Sequence, residues 1–360
     1  MKKALAVAVS LILFGVLLVL VAFFASGCDL SGWLGADYVT TPHELSLDFD
    51  RISVDVDTAD LIFLPSENGV CRVVAYEKEK EKHSVAVKDG VLTVSLEEAR
   101  AERKWYDYIS IGYNQPKITV YLPKDDYAAL SVLSDTGDIS IPKDFTFGSV
   151  ALEGSTGDIR VSAAASGALT VTMSTGDIAL SDASFGSLSV TSSTGDITLR
   201  SVTVGGGITL GQSTGDLYAE GVTAAAFSST ASTGKGSLYE LTVLGDVLLK
   251  RSTGDLTLVG GTAESLEAKT STGDLSFDRV VLGARLTLLT DTGEVEIRGS
   301  DAAEIGITTD TGDVEATFLT PKIFFAETDA GDIDIRKSTV GGLCTVKTDT
   351  GDIELYFLDE

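Results

Sequence analysis

The chain has 360 residues, with 27 basic and 53 acidic side chains and a formal net charge of −26. This acidity argues against nucleic acid as a partner, because phosphate binding needs lysine and arginine. Two histidines and three cysteines leave little for a histidine-based active site and cannot make a disulfide framework. With 44% apolar residues and only 6 prolines among 37 glycines, the composition is that of a folded protein with a core.

An uncharged stretch, residues 4–25, follows two lysines and contains Ser10 as its one polar side chain. A helix of this length spans roughly 33 Å, which is enough for the hydrocarbon core of a bilayer. It is also longer than the apolar part of a cleavable signal peptide. We therefore predict a signal anchor over residues 1–27 that contacts the membrane through residues 4–25, a linker over 28–42, and a single-pass protein whose C-terminal part lies outside the cell.

A second interpretation of the same stretch is a lipoprotein signal. Ala25-Ser26-Gly27-Cys28 resembles a bacterial lipobox, in which Cys28 is lipidated after cleavage, although the position that usually holds leucine is Ala25. Both interpretations tether the rest of the chain to the outer face of a membrane.

A short motif of the form Ser/Asp-Thr-Gly-Asp-Ile recurs from about residue 130 onwards. Successive motif glycines are 19 or 20 residues apart, which is typical of a repeat architecture. Glycine supplies the positive φ of a tight corner, and the Ser, Thr and Asp side chains bond to nearby backbone groups. The motif glycines are Gly137, Gly157, Gly176, Gly195, Gly215, Gly234, Gly254, Gly273, Gly293, Gly312, Gly331 and Gly351.

Apolar residues alternate with polar or small residues on both sides of each motif. They stand two and four residues after the glycine, as Ile139 and Ile141 do, and seven and five residues before it, as Leu130 and Val132 do. Period two indicates strands, so each unit holds two short strands around its corner. One unit cannot bury its apolar stripe alone, whereas stacked units can. We therefore predict an all-β fold, a single-stranded β-solenoid of about twelve coils over residues 129–360, roughly 55–60 Å long.

One unit departs from this pattern. Lys235 stands where the other motifs have an acidic residue, and the next apolar residue, Leu238, comes two positions late. This irregularity predicts a local bulge or a widened loop.

Stacking places the motif carboxylates in one column, and this column has two interpretations. The side chains are turn formers that bond to the backbone, or they form a ladder that holds Ca²⁺ between successive carboxylates. Unlike the known nine-residue calcium repeat, these units have 19–20 residues. The candidate metal ligands are Asp138, Asp158, Asp177, Asp196, Asp216, Asp255 and Asp274, and Glu294 lies in the same column.

Residues 43–128 read as an irregular β cap that closes one end of the solenoid. Asp57-Thr58-Ala59-Asp60 looks like a degenerate copy of the motif, and Lys88-Asp89-Gly90 predicts a hairpin turn. The alternating charges of residues 77–82 predict a solvated edge or loop. Aromatic residues, which are few elsewhere in the chain, cluster at Trp105, Tyr106, Tyr108 and Tyr113. This cluster either packs on the cap or forms a contact patch for a glycan, a partner or the membrane surface.

The common catalytic signatures are absent from the sequence, which has no nucleophile elbow, zinc-protease motif, phosphate loop or paired Cys-x-x-Cys. We predict no cofactor and no catalytic residue. Some β-helical enzymes cleave acidic polysaccharides, but an acidic rod with near-uniform units would repel a polyanion and offers no long loops to form a cleft. A polysaccharide-active enzyme is therefore a remote alternative.

These features together resemble the bacterial "putative adhesin" family, a domain of unknown function common in Gram-positive bacteria. The resemblance rests on the N-terminal anchor, the Asp57-Thr58-Ala59-Asp60 segment, the Arg103-Lys104-Trp105-Tyr106-Asp107 stretch and the Ser-Thr-Gly-Asp-Ile/Leu repeats, and it covers about residues 45–360. It implies a surface-exposed β-solenoid, and some relatives are linked to cell-envelope stress signalling.

Two functions from different classes follow. The first is a non-catalytic, adhesin-like module that binds an unknown surface ligand. The second is a regulatory protein of the cell envelope that acts through a membrane protein partner. The first predicts binding by the part outside the membrane alone, and the second requires the anchor.

Overall fold

The computed structural model describes residues 38–79, 81–96 and 115–358. Regular structure in these ranges consists entirely of β-strands, which all belong to one sheet wound into a solenoid. None of the described residues forms a helix able to cross a bilayer. The predicted anchor, residues 1–27, lies outside the described residues.

The N-terminal end of the solenoid is built from seven strands. They are β1 (Tyr38–Leu45), β2 (Arg51–Val56), β3 (Asp60–Pro65), β4 (Cys71–Lys78), β5 (His83–Lys88), β6 (Val91–Leu96) and β7 (Lys117–Leu122).

The repeat region contributes the remaining strands. In its first half they are β8 (Asp126–Thr136), β9 (Ile139–Ile141), β10 (Thr146–Thr156), β11 (Ile159–Val161), β12 (Ala164–Thr175), β13 (Ile178–Ser181), β14 (Ser184–Thr194), β15 (Ile197–Arg200), β16 (Thr203–Val204), β17 (Gly207–Thr214), β18 (Leu217–Glu220), β19 (Thr223–Ala224) and β20 (Ala226–Thr233). In its second half they are β21 (Gly236–Val243), β22 (Asp246–Thr253), β23 (Leu256–Thr272), β24 (Leu275–Thr292), β25 (Val295–Ser300), β26 (Glu304–Thr311), β27 (Val314–Phe318), β28 (Lys322–Ala330), β29 (Ile333–Ile335), β30 (Gly342–Thr350) and β31 (Ile353–Phe357).

Parallel, in-register pairing between successive coils confirms the predicted solenoid. Val150 of β10 pairs with Leu130 of β8 on one side and with Leu169 of β12 on the other, and all three point inward and are at most 3% exposed. We name each coil by its motif glycine. All twelve of these glycines adopt a positive φ, between 125° and 155°. They also stack directly on one another, so the predicted ridge of corners is confirmed.

Each of the earlier coils buries a third inward pair that the two-strand prediction missed. Phe145 and Phe147 illustrate it: they precede Val150 and Leu152 along the chain, with Phe147 in the same strand β10, and both are at most 1% exposed. A register shift between Phe147 and Val150 turns the chain from this run into the next. Equivalent buried pairs occur at Ala163 and Ala165, Ala183 and Phe185, Val202 and Val204, Val222 and Ala224, and Leu241 and Val243.

The coils at the two ends do not stack in chain order. At the C-terminal end, β30 of the Gly351 coil pairs with β26 on one side and with β28 on the other. The Gly351 coil is therefore inserted between the Gly312 and Gly331 coils, and the Gly331 coil is outermost. At the N-terminal end, β2 pairs with β6 and β8, and β3 pairs with β7, so the coil of residues 51–65 lies between the outermost coil, described by its strands β6 and β7, and the Gly137 coil. The described stack has fourteen coils and a length of about 60 Å.

Residues 51–65 form a coil of this stack although the sequence lacks the motif glycine there. Ala59 occupies the glycine position, because a Cβ built on Gly137 would lie 2.4 Å from the Ala59 carbonyl oxygen. Its inward residues continue those of the repeat, and the rings of Phe49, Tyr127 and Phe147 stack along the core with centroids about 6 Å apart, at 5.8 and 6.1 Å.

Antiparallel strands cover the N-terminal end. Strand β4 pairs with β7, β1 pairs with β4, and β5 forms a hairpin with β6 around the predicted turn, where Asp89 and Gly90 both have positive φ. The prediction of a solvated edge at residues 77–82 is wrong at its first residue. Glu77 is 1% exposed and accepts hydrogen bonds from the backbone N–H of His83 at 2.7 Å and at 2.8 Å from the His83 ring, because the strand pattern points its side chain inward.

Candidate functional site

The corner ridge is the most regular surface of the molecule and holds all seven aspartates predicted as metal candidates. Each corner follows a strand whose apolar residues point inward, and the positive φ of the glycine turns the chain so that the next side chain lies on the ridge. At Gly157 no other residue fits, because a Cβ would lie 2.3 Å from the carbonyl oxygen of Gly137 in the coil beneath.

Each of the seven candidate aspartates accepts a hydrogen bond from the backbone of the next coil. The Asp158 N–H donates to Asp138 Oδ1 at 2.8 Å, and the Asp177 N–H donates to Asp158 Oδ1 at 3.0 Å. The same bond recurs at Asp196 on Asp177, Asp216 on Asp196, Lys235 on Asp216, Asp274 on Asp255 and Glu294 on Asp274. The side chains therefore join neighbouring coils, whereas the sequence suggested bonds within one corner.

This ladder gives the aspartates a structural role through one oxygen each, while Ca²⁺ binding stays a prediction. Among the residues that the structure describes, no three His, Cys, Asp or Glu side chains are grouped closely enough to hold a metal ion. Arg160 also pairs with two ridge carboxylates, Asp138 at 3.3 Å and Asp158 at 2.7 Å. Hydrogen bonds and an arginine thus offset part of the repulsion along the column.

A second ladder runs inside the ridge, and sequence reasoning missed it. The residue three positions before the motif glycine points inward, and in the later coils it is threonine. Thr290 Oγ1 donates to the Gly273 carbonyl oxygen at 3.1 Å, and Thr270 Oγ1 donates to that of Gly254 at 3.1 Å. The signal that could have revealed this ladder is a threonine three residues before each of the last five motif glycines. These threonines are Thr270, Thr290, Thr309, Thr328 and Thr348.

The Gly234 coil keeps its register, so the predicted bulge at Lys235 is wrong. Gly236 pairs with Leu217 on one side and with Leu256 on the other, and it stands at the inward position that holds an apolar residue in the other coils. Leu256 Cδ2 and the guanidinium of Arg251, both from the next coil, occupy the space that the missing side chain leaves. A Cβ on Gly236 would lie 3.4 Å from Arg251 Nη2.

Arg251 is a buried cation with few partners. It is 4% exposed, donates to Ser229 Oγ at 3.1 Å and to the Lys250 carbonyl at 2.9 Å, and its Nε has no hydrogen-bond partner in the described residues. Burial lowers the pKa of Arg251 to about 10. On the ridge beside it, Lys235 Nζ lies 2.9 Å from Asp255 Oδ2. This contact lowers the pKa of the Asp255 carboxyl most, and the hydrogen bond from the Asp274 N–H lowers it further.

The other predicted site residues lie outside the described residues. These are Cys28 and the aromatic cluster of Trp105, Tyr106, Tyr108 and Tyr113. The ends of the segment that carries this cluster are described, however. It joins β6 to β7, which are the two strands of the outermost N-terminal coil, at the place where the other coils have their motif corner.

The sequence of the repeat decides the family. Residues 49–239 and 235–360 match the Toastrack DUF4097 family, and together they cover most of the chain. The chain belongs to the Toastrack DUF4097 family. This result agrees with the resemblance in the sequence, and no curated protein matches the chain.

Solved structures similar to this Toastrack DUF4097 chain include two bacterial proteins. A "putative adhesin" of Bacteroides fragilis NCTC 9343 is 16% identical, with a TM-score of 0.41, over 73% of this chain and 98% of the other. A "putative adhesin" of Parabacteroides distasonis ATCC 8503 is 13% identical, with a TM-score of 0.31, over 88% of this chain and 98% of the other.

Proposed function

We propose that this protein is a non-catalytic surface-binding module, a rod that holds its C-terminal tip away from an N-terminal membrane anchor. The observation that carries this proposal is the position of the two ends. Strand β1, which follows the predicted anchor and linker, lies at the outer edge of the N-terminal cap, and the Gly331 coil lies about 60 Å away at the other end.

The sides of the rod support binding of an extended ligand better than catalysis in a cleft. From residue 126 to residue 358, successive strands are joined by at most six residues, so no long loop projects from the coils. The outward side chains recur in register at about 4.8 Å, the spacing of paired strands. Such a surface presents the same groups many times along one direction, which suits repeated weak contacts.

Surface labelling tests the topology of this proposal. Lys347 is exposed on β30, and Cys71 and Cys344 of the parent chain are buried. We expect a membrane-impermeant maleimide to label Lys347→Cys on intact cells above the level of the parent chain. Labelling that requires cell lysis would overturn the proposal.

Vesicle binding tests the activity. Fluorescent liposomes that carry the full-length chain should bind intact cells saturably, and empty liposomes should not. The matched control is Gly293→Ala, which disrupts one coil near the tip. Equal binding by empty liposomes would contradict a binding module, and a membrane protein that co-purifies only with the anchored chain would support the regulatory alternative instead.

A further inference from the structure

The C-terminal tip of the solenoid is open. In the described residues, β28 and β29 of the Gly331 coil pair on one side only, with β30 and β31. Ile333 is 43% exposed, whereas Ile353 at the same position of the coil beneath is fully buried. Phe325, at an outward position of β28, is 60% exposed. The free edge therefore combines unpaired strand groups with exposed apolar side chains, which is the condition under which strands associate.

The two ends of the rod differ in this respect. The N-terminal end is covered by antiparallel strands, and its edge strand β1 contains Pro42, which has no N–H to donate to a further strand. In contrast, β28 has no proline within its nine residues. Head-to-tail stacking of rods would press the open tip against this blocked end, so it is disfavoured.

The undescribed residues of this sequence begin far from the tip or are short. Residues 97–114 leave and re-enter the outermost N-terminal coil, so out and back they reach about 30 Å, half the length of the stack. Residues 359–360 add about 7 Å. Residues 1–37 precede β1 at the capped end, and the sequence predicts a bilayer span for residues 4–25. A second copy has the matching edge that these segments do not offer.

We propose that two copies of this chain dock tip to tip through antiparallel pairing of β28 about a two-fold axis. Inward side chains must meet inward side chains, and centring the pair on Ala326 achieves this, because Phe324 then lies opposite Thr328 of the second copy. The pairing is isologous, so it closes as a dimer and leaves the two capped ends pointing apart.

The charge on the tip favours this arrangement over parallel stacking. In the antiparallel arrangement, the acidic corner at Asp332 of one copy faces the other end of the partner's β28, where Lys322 is buried against Asp301, and the two corner ridges do not meet. Parallel stacking would continue the ridge and bring like charges together. The tip coil still carries Glu327 and Asp329, so we expect the dimer to strengthen as salt screens the repulsion.

The dimer rests on the proposed function and extends it, because it names the partner of the tip as a second copy of the chain. Anchors at the two far ends would then lie in two facing membranes. The association itself is measured in detergent micelles, where the side of the membrane plays no part. A failure to dimerise thus leaves the labelling result untouched, and a failure of labelling leaves the dimer untouched.

Light scattering on the full-length chain in micelles tests the docking. We expect a dimer between 1 and 100 µM, on the order of micromolar affinity, because one pair of edge strands makes a small interface. Ala326→Lys places a charge at the centre of the edge and should weaken association at least tenfold. Phe325→Ser changes an exposed side chain and should weaken it without affecting the fold. Leu244→Ser, on the side of the rod where the parent residue is 80% exposed, is the control and should leave the dimer intact.

Two results would overturn the docking. One is a parent chain that stays monomeric at about 100 µM in moderate salt. The other is a dimer that persists unchanged in both tip variants while circular dichroism shows them folded, because such a dimer would form through another surface or through residues 4–25.

Spin-label distances test the geometry. In a Cys28→Ser background, a label at Lys347→Cys reports from one coil below the tip, since Lys347 pairs with Glu327. Tip-to-tip docking predicts a separation of roughly 15–30 Å between the two labels, and a label at Thr209→Cys should give roughly 70 Å. A short distance at Thr209 would show side-by-side association and refute the arrangement.

Discussion

In the Gly234 region, two small inward residues leave space in the core, and a buried arginine from the next coil fills it. Replacing this arrangement with the residues of the other coils should stabilise the protein. Ser229 and Gly236 are the small inward residues, and Arg251 fills the space between them. We consider Gly236→Leu and Arg251→Thr, which restore the leucine and the threonine found at these two positions in other coils.

The magnitudes follow from the contacts. Gly236→Leu alone introduces a Cβ 2.6 Å from Leu256 Cδ2 and pushes against the guanidinium, so overpacking should cost about 1–3 kcal/mol. Arg251→Thr alone removes a buried charge whose lowered pKa, about 10, corresponds to a penalty on the order of 3 kcal/mol. It also leaves a void of leucine size, which costs a similar amount, so this single change should be close to neutral or mildly destabilising.

The double variant removes the charge and gives Leu256 room to turn its Cδ2 away from the new side chain, so that the two leucines fill the void together. We expect it to be more stable than the parent by about 2–4 kcal/mol, with a coupling energy of at least about 2 kcal/mol between the two sites. Denaturant midpoints of the four chains of the cycle, followed by circular dichroism, measure this coupling. Lys235→Asp is the control, because it restores the motif at a solvent-exposed position and should change stability by at most about 0.5 kcal/mol.

Additive single effects would refute the reasoning. If Gly236→Leu is tolerated alone, or if the double variant is no more stable than the sum of the singles predicts, then the guanidinium does not fill the space left by the glycine. A gain in Lys235→Asp of the same size would instead locate the weakness on the ridge.

Three further outcomes follow from the corners and the core. Gly293→Ala should cost several kcal/mol, because its Cβ would lie 2.0 Å from the Gly273 carbonyl oxygen, whereas Gly306→Ala, with open space around it, should change stability by under about 1 kcal/mol in the same denaturation assay. Asp177→Ala should lower the free energy of unfolding by about 1 kcal/mol, and Asp177→Asn should lower it less, because the amide oxygen still accepts a hydrogen bond from the Asp196 N–H. In thermal melts of the parent chain, a rise of Tm with millimolar Ca²⁺ would show that the carboxylates also hold the cation. Burial raises the pKa of the Cys344 thiol to about 12. The thiol's contribution to stability is therefore present at neutral pH and is lost from about pH 9 towards pH 12, by up to about 1.4 kcal/mol per pH unit. In pH-dependent unfolding, Cys344→Ala should flatten that slope.

The corner spacing predicted the coils because every corner imposes the same local demand. Gly157 must adopt a positive φ, and the apolar residues around it must face inward, so pattern and structure agree there. The third inward pair, such as Phe145 and Phe147, lies where units of 19 and 20 residues differ in length. The chain shifts register at that point, which hides the alternation.

The remaining errors come from contacts between residues far apart in the chain. Gly236 looks like a defect in its own unit, and only Arg251 from the next coil explains why the register holds. In the sequence, Glu77 belongs to a run of alternating charges that predicts solvent exposure. In the structure it is buried, and His83 is its hydrogen-bond partner. Equivalent corners also say which residues stack but not in which order, so the exchange of the Gly331 and Gly351 coils could not be predicted from the period.

The exchanged coils determine how the rod can be assembled during synthesis. The residues of β28 and β29 leave the ribosome before those of β30 and β31, yet they end further from the middle of the molecule. Residues 342–357 must therefore be in place beyond the Gly312 coil before the Gly331 coil can take its final position. Growth by simple addition to the last coil would misplace β28 and β29, so the last two coils dock in the reverse of their order in the chain.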